Sequence, residues 1–120
     1  VKPSYGLSDD QVANMLRDSF STAQADMQAR ALVEARVDGD RLLIATQSAL
    51  DADGDLLTDA ERSQVDALMD QLRHALVGSE SAADIEARTD ALAKGTEGFA
   101  AERMNRGIRQ ALAGKNVQSI

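Results

Sequence analysis

Asp51, Asp53 and Asp55 alternate in the stretch Asp51-Ala52-Asp53-Gly54-Asp55, which continues through Leu56-Leu57-Thr58-Asp59-Ala60-Glu61-Arg62. Carboxylates at the first, third and fifth positions of a short turn are the hard oxygen donors that Ca²⁺ gathers in an EF-hand loop. The later positions break the pattern. Such a loop needs glycine at position six, an apolar residue at eight and a bidentate glutamate at twelve, where this chain has Leu56, Thr58 and Arg62. Losing the turn glycine and the bidentate ligand together removes the affinity. The segment therefore reads as an acidic turn between two helices, with Leu56 and Leu57 plugging the packed face and Thr58 capping the next helix. No residue is assigned to a metal.

Other residues with chemical potential are sparser. His74, the single histidine, falls around its helix from Leu72 and Leu76, which makes it a solvated side chain rather than a ligand or general base. Met15, Met27, Met69 and Met104 lie on or near apolar stripes and serve as core or interface filler, Met15 and Met27 being suited to an adaptable docking face. Arg103, Arg106 and Arg109 with Lys115 read as a cation-rich helix end that balances the macrodipole. There is no nucleotide-binding loop and no nucleophile constellation. The chain is expected to be no enzyme, with neither catalytic residues nor a bound cofactor.

The elements that must position these groups are helical. Ser8 with Gln11 forms a capping box, flanked by Leu7 and Val12 at the positions of a hydrophobic staple. From there Val12, Met15, Leu16, Phe20, Ala23 and Met27 recur at spacings of three and four, followed by Leu32, Ala35, Gly39, Leu42, Leu43, Thr46 and Leu50. Thr58 and Glu61 make a second capping box for a helix carrying Val65, Leu68, Met69, Leu72 and Leu76, ended by Gly78. Ser81 caps a third stretch with Ile85, Thr89 and Leu92 inward. After Gly95 and Gly98 a last piece carries Phe99, Met104, Ile108 and Leu112 and stops at Gly114, with residues 115–120 frayed.

Composition agrees with an all-α fold. The one proline is Pro3, the only strand-like scrap is Val1-Lys2-Pro3-Ser4-Tyr5, and Phe20 and Phe99 are the only phenylalanines. A formal net charge of -7 argues against nucleic acid and anionic membrane surfaces as partners, since those need a basic patch. Without cysteine there are no disulfides or thiolate sites, and with no signal-peptide pattern or membrane-length apolar run the expected setting is cytoplasmic.

Lengths give the main inference. A helical arm from Ser8 to about Leu50, as one helix or two with a kink, spans roughly 60 Å, whereas the helix from Thr58 to Val77 spans about 30 Å. The later helices can cover only its C-terminal half, as an antiparallel bundle over about residues 31–114. That leaves Val12, Met15, Leu16 and Phe20, on an arm of about residues 8–30, without a partner in the chain. Burying those four side chains would be worth about 6–10 kcal/mol as an upper figure. The missing partner is either another domain of a longer protein or a second copy.

The arrangement Gly6-Leu7-Ser8, Met15, Asp18, Ala23, Asp26, Arg36, Leu42-Leu43, Asp53-Gly54-Asp55-Leu56-Leu57, Leu76, Gly78, Ile85 and Leu92 resembles the α-helical lid of the seventy-kilodalton heat-shock chaperones. Within that family, Val1 to Leu7 and the runs Phe99 to Met104 and Ile108 to Lys115 are closer to the branch dedicated to iron–sulfur protein maturation. The lack of an acidic, glycine-rich tail fits the same branch. The resemblance implies a lid that closes over a peptide bound in a preceding β-sandwich, of which residues 1–7 would be the remnant. It also implies an ATP-hydrolysing domain in the parent, an iron–sulfur scaffold protein as client and a J-type co-chaperone. Val12, Met15, Leu16 and Phe20 would then sit on the sandwich.

By position, Asp26 matches the family's latch aspartate, which pairs with an arginine on the sandwich rim. Ile44 stands where DnaK-like lids carry a histidine, so any histidine-dependent closure contact is lost. Three readings follow from the sequence: a chaperone lid, a free-standing helical dimerisation module, and, least supported, a calcium-binding helix–loop–helix protein.

Overall fold

The computed structural model describes residues 8–118, with side chains through Gly114. The strand-like scrap and the proposed sandwich remnant at residues 1–7 lie outside the described residues. Four helices follow one another: α1 (Asp9–Asp53), α2 (Asp59–Gly78), α3 (Ala82–Gly95) and α4 (Glu97–Gln118), with a 3-10 turn at Gly54–Leu56 between α1 and α2. Among the described residues there is no strand. The all-α architecture with a long leading helix is as the periodicity predicts.

α1 is a single helix of 45 residues, about 68 Å at 1.5 Å per residue, which resolves the question of one helix or two. Both predicted capping boxes are present. Gln11 N donates to Ser8 Oγ at 3.1 Å while Ser8 N donates to Gln11 Oε1 at 2.8 Å; Glu61 N donates to Thr58 Oγ1 at 3.2 Å and Thr58 N to Glu61 Oε1 at 3.1 Å. Ser81 Oγ accepts from Asp84 N at 3.2 Å at the start of α3. Each cap satisfies amide donors that a helix start leaves open.

The core lies between the second half of α1 and the pair α2–α3. Met69, Leu72, Ile85 and Leu92 are fully buried, joined by Ala35, Ala49, Leu50, Val65, Ala75 and Phe99. Gly39 sets the approach of the helices. A Cβ there would stand 3.1 Å from Leu76 Cδ2 and 3.3 Å from both Leu72 Cδ1 and Thr89 Oγ1, so the missing side chain lets α1 settle between α2 and α3. Arg36 fastens the same seam by donating from Nη2 to the Ser79 carbonyl at 3.3 Å.

Three local expectations are corrected. The acidic stretch does not break α1 at Asp51, because the helix runs through Asp53 before tightening into the 3-10 turn. α4 continues past Gly114 to Gln118, since an exposed glycine costs only about 1 kcal/mol and no proline or competing cap follows. Of the apolar set assigned to the last piece, only Phe99 is buried; Met104, Ile108 and Leu112 are exposed, because they lie on the opposite face of α4 from Phe99.

Candidate docking face

The molecule measures 97 × 36 × 16 Å, and the N-terminal half of α1 leaves the bundle behind. Residues 9–30 are exposed without exception. Val12 is 41%, Met15 56%, Leu16 67% and Phe20 66% exposed, so none of the four is sheltered by the later helices. Met27, at 68%, continues the face.

The face is longer than the sequence reading made it. Val33, Val37 and Ile44 are also exposed, although they belong to the half of α1 that carries the core. Met15, Asp26, Val33, Val37 and Ile44 are separated by 11, 7, 4 and 7 residues. Each step is close to a whole number of turns, so the five stand in one row. The core residues Ala35, Gly39 and Thr46 fall on the other side of the helix. Leu16, Phe20 and Met27 lie about 100–140° round the helix from Met15 and Val33, so the exposed apolar surface runs from Val12 to Ile44, about 48 Å, as two adjoining strips rather than one line. The signal was present in the spacing, but a second apolar row opposite a recognised core row is easily read as noise. Ile44 is an apolar member of this row, whatever contact a histidine would make there.

Asp26 is exposed on α1 within that row, with apolar neighbours on both sides. Among the described residues it takes part in no ion pair, and its carboxylate is directed to solvent rather than to the bundle. A carboxylate among apolar side chains on an open helix face can orient a partner that brings a cation, because charge pairing fixes register where apolar contact alone would slide.

The acidic turn has a structural occupation of its own. Asp53 and Asp55 stand at the C-terminal end of α1, where the helix dipole disfavours negative charge and the last turn contains no basic residue. α4 supplies the compensation. Arg103 Nε donates to Asp53 Oδ2 at 2.8 Å; Arg106 Nη1 donates to Asp53 Oδ1 at 3.1 Å and to Asp55 Oδ1 at 2.9 Å, and its Nη2 reaches Asp55 Oδ2 at 2.5 Å. The Arg103 hydrogen bond first, with Arg106 behind it, holds the Asp53 carboxyl below the usual range, and the Arg106 hydrogen bond does the same for Asp55; Arg106 is held more firmly protonated in return. Arg103 and Arg106 are therefore not a helix end balancing its own dipole, as the sequence suggested, but partners of the acidic turn. Chain order concealed this, since some fifty residues separate the partners.

Asp53 and Asp55 are aimed at guanidinium groups, Asp51 Oδ1 accepts from Gln47 Nε2 at 3.0 Å, and among the described residues no group of three or more histidines and acids is placed to hold a metal ion. His74 is exposed, its Nδ1 lying 2.7 Å from the Asp70 carbonyl one turn earlier. No helix among the described residues is long and apolar enough to cross a membrane.

Comparison with known proteins adds a family. Residues 1–105 match the family model described as "Hsp70 protein". Over all 120 residues the chain is 73% identical to a "Chaperone protein HscA homolog" of Delftia acidovorans, 70% identical to one of Acidovorax sp., and 57% identical to one of Herminiimonas arsenicoxydans. It spans 19% of the length of each of these relatives.

Proposed function

Because the chain belongs to the Hsp70 family, we propose that it is the helical lid of an HscA-like chaperone and that α1 docks on the peptide-binding β-sandwich of the parent protein. The observation that carries this reading is the exposed apolar surface of α1, a strip from Val12 through Phe20 to Met27 with the adjoining row from Val33 to Ile44, none of which has a partner in the bundle. Met15 and Met27 give the face adaptability. Asp26 acts as the latch, pairing with a cation on the sandwich rim and setting the closed position. The lid does no bond chemistry. It slows peptide dissociation when docked, and the nucleotide state of the parent's ATPase domain shifts the docked and undocked populations. The client is an iron–sulfur scaffold protein, the co-chaperone is J-type and HscB-like, and the whole chaperone works in the cytoplasm.

The test is peptide release from the full-length parent. Leu16→Asp with Phe20→Asp is expected to speed dissociation in the ADP state while leaving nucleotide hydrolysis without peptide unchanged, and Asp26→Asn to produce the same change more weakly. Unaltered dissociation in both variants would falsify the docking reading.

The same face supports self-association when the helical chain is separated from the sandwich, because an apolar stripe in water gains by pairing with any apolar surface. A free-standing dimerisation module would remain dimeric with the sandwich attached in cis. A lid would become monomeric, and sedimentation of the two forms separates these outcomes.

A further inference from the structure

α4 is held to the rest of the molecule in an unusual way for a bundle helix. Among its described side chains the only buried apolar one is Phe99, and from Gly107 to Gly114 every residue is exposed. Phe99, Arg103 and Arg106 follow one another at intervals of four and three, so they share the face turned to the bundle; Met104, Ile108 and Leu112 occupy the face turned away. The helix thus presents its cationic side inward and its apolar side outward. Burial of apolar surface alone would favour the reverse.

Charge supplies what packing does not. The four hydrogen bonds from Arg103 and Arg106 to Asp53 and Asp55 join the middle of α4 to the end of α1, and the Arg103 guanidinium also lies 5.9 Å from the centre of the Phe99 ring. Beneath this clasp α1 and α4 do not close-pack. A cleft of about 210 Å³ separates them, lined by Leu42, Thr46, Ala49, Phe99 and Ala100 and bordered by Arg103. The link from α3 is short and glycine-flanked, Gly95-Thr96-Glu97-Gly98, with the Thr96 hydroxyl donating to the Leu92 carbonyl at 2.9 Å.

We propose that α4 is a strap, closed along α1 by the Asp53/Asp55–Arg103/Arg106 clasp, and that release of the clasp swings it out about the Gly95–Gly98 link and opens the apolar cleft while α1, α2 and α3 stay folded. The closed position is then set by ionic contacts at the molecular surface. Such contacts weaken as salt shortens the range of the field, to about 3 Å at 1 M, whereas the core beneath them gains nothing from charge. The strap is a salt-sensitive element on a salt-indifferent frame.

The chain has no cysteine, so paired spin labels can be introduced without background. Labels at Ser48→Cys and Gln110→Cys report on the strap; labels at Ser63→Cys and Ala87→Cys report on α2 against α3. Labelled chain is mixed with excess unlabelled chain to remove distances between copies. At low salt the strap pair is expected to give one narrow distance distribution. In Asp53→Asn/Asp55→Asn, or at about 1 M salt, it shifts to longer and broader distances while the α2–α3 pair does not move. Arg106→Met, which breaks the clasp from the other side, gives the same shift and serves if the double variant folds poorly. A strap distribution unchanged by both variants and by salt overturns the proposal. So does equal broadening of the α2–α3 pair, which would make the clasp an ordinary part of one cooperative fold.

Discussion

The two halves of α1 share one uninterrupted backbone yet live in different environments. Residues 9–30 are exposed throughout, while residues 31–53 contribute Ala35, Gly39, Thr46, Ala49 and Leu50 to the interior. A helix of the arm's length would be marginal in water, because nucleating its first turn is unfavourable and nothing buries its apolar face. Here the bundle supplies the nucleus and the arm only propagates from it. Continuity also makes the arm a lever, since a displacement at Val12 must be carried into the bundle or absorbed by bending α1.

The sharpest way to break the comparison is to damage each half's apolar residues in turn. Leu72→Ala, at a site with no exposure, is expected to cost about 2–5 kcal/mol and to lower the melting temperature of the whole bundle. Phe20→Asp, at a site 66% exposed, is expected to change stability by less than about 0.5 kcal/mol while abolishing self-association. Calorimetry with sedimentation reads both. A bundle that melts with Phe20→Asp would show that the arm is not a separate unit.

A smaller effect is expected at Gly39. A valine there must displace Leu72, Leu76 or Thr89, at a cost of about 1–3 kcal/mol by overpacking. Gly107→Ala in the exposed part of α4 meets open space, and should instead gain up to about 1 kcal/mol of helix propensity. Chemical denaturation of the two variants should therefore move in opposite directions.

The contrast also explains how far the sequence could be read. Helix starts were legible because caps are local: Ser8 with Gln11 and Thr58 with Glu61 meet within one turn. The inward residues of α2 and α3, such as Leu72 and Ile85, followed from periodicity alone. What stayed hidden depends on distant partners. The pairing of Asp53 and Asp55 with Arg103 and Arg106 requires knowing that α4 returns beside the end of α1, and the outward orientation of Met104, Ile108 and Leu112 is a consequence of that pairing. The apolar row Val33, Val37 and Ile44 was concealed for a different reason: once one apolar row of a helix is assigned to the core, a second row on the opposite side is easily passed over.

Acid provides a probe of the bundle end. Asp53 and Asp55 have carboxyls held below the usual range by their arginines, so the stabilisation they bring is fully present above the ordinary aspartate value of about 3.9 and is lost as pH falls through their lower folded values. Below pH 4 the clasp is expected to weaken before the core residues respond. Monitoring α4 and α2 separately by hydrogen exchange across this range tests the order. Simultaneous loss of protection in the two helices would contradict it.

The finest discrimination comes from the two capping boxes, which are chemically alike but placed in opposite halves of the comparison. Thr58→Ala removes a cap from α2, leaves the Glu61 amide without its acceptor and loosens the contacts that hold the Glu61 carboxyl below its usual range. Because α2 is part of the core, the cost of about 0.5–2 kcal/mol should appear in full as a lower melting temperature. Ser8→Ala removes the same kind of cap from the tip of the arm, where the free energy lost is that of a few solvated turns. Fraying there releases no buried side chain, so the melting temperature should stay fixed while amide exchange quickens over the first turns of α1. Equal depression of the melting temperature by the two substitutions would mean that the arm unfolds together with the bundle, and that the lever extends as a cooperative element to its N-terminus.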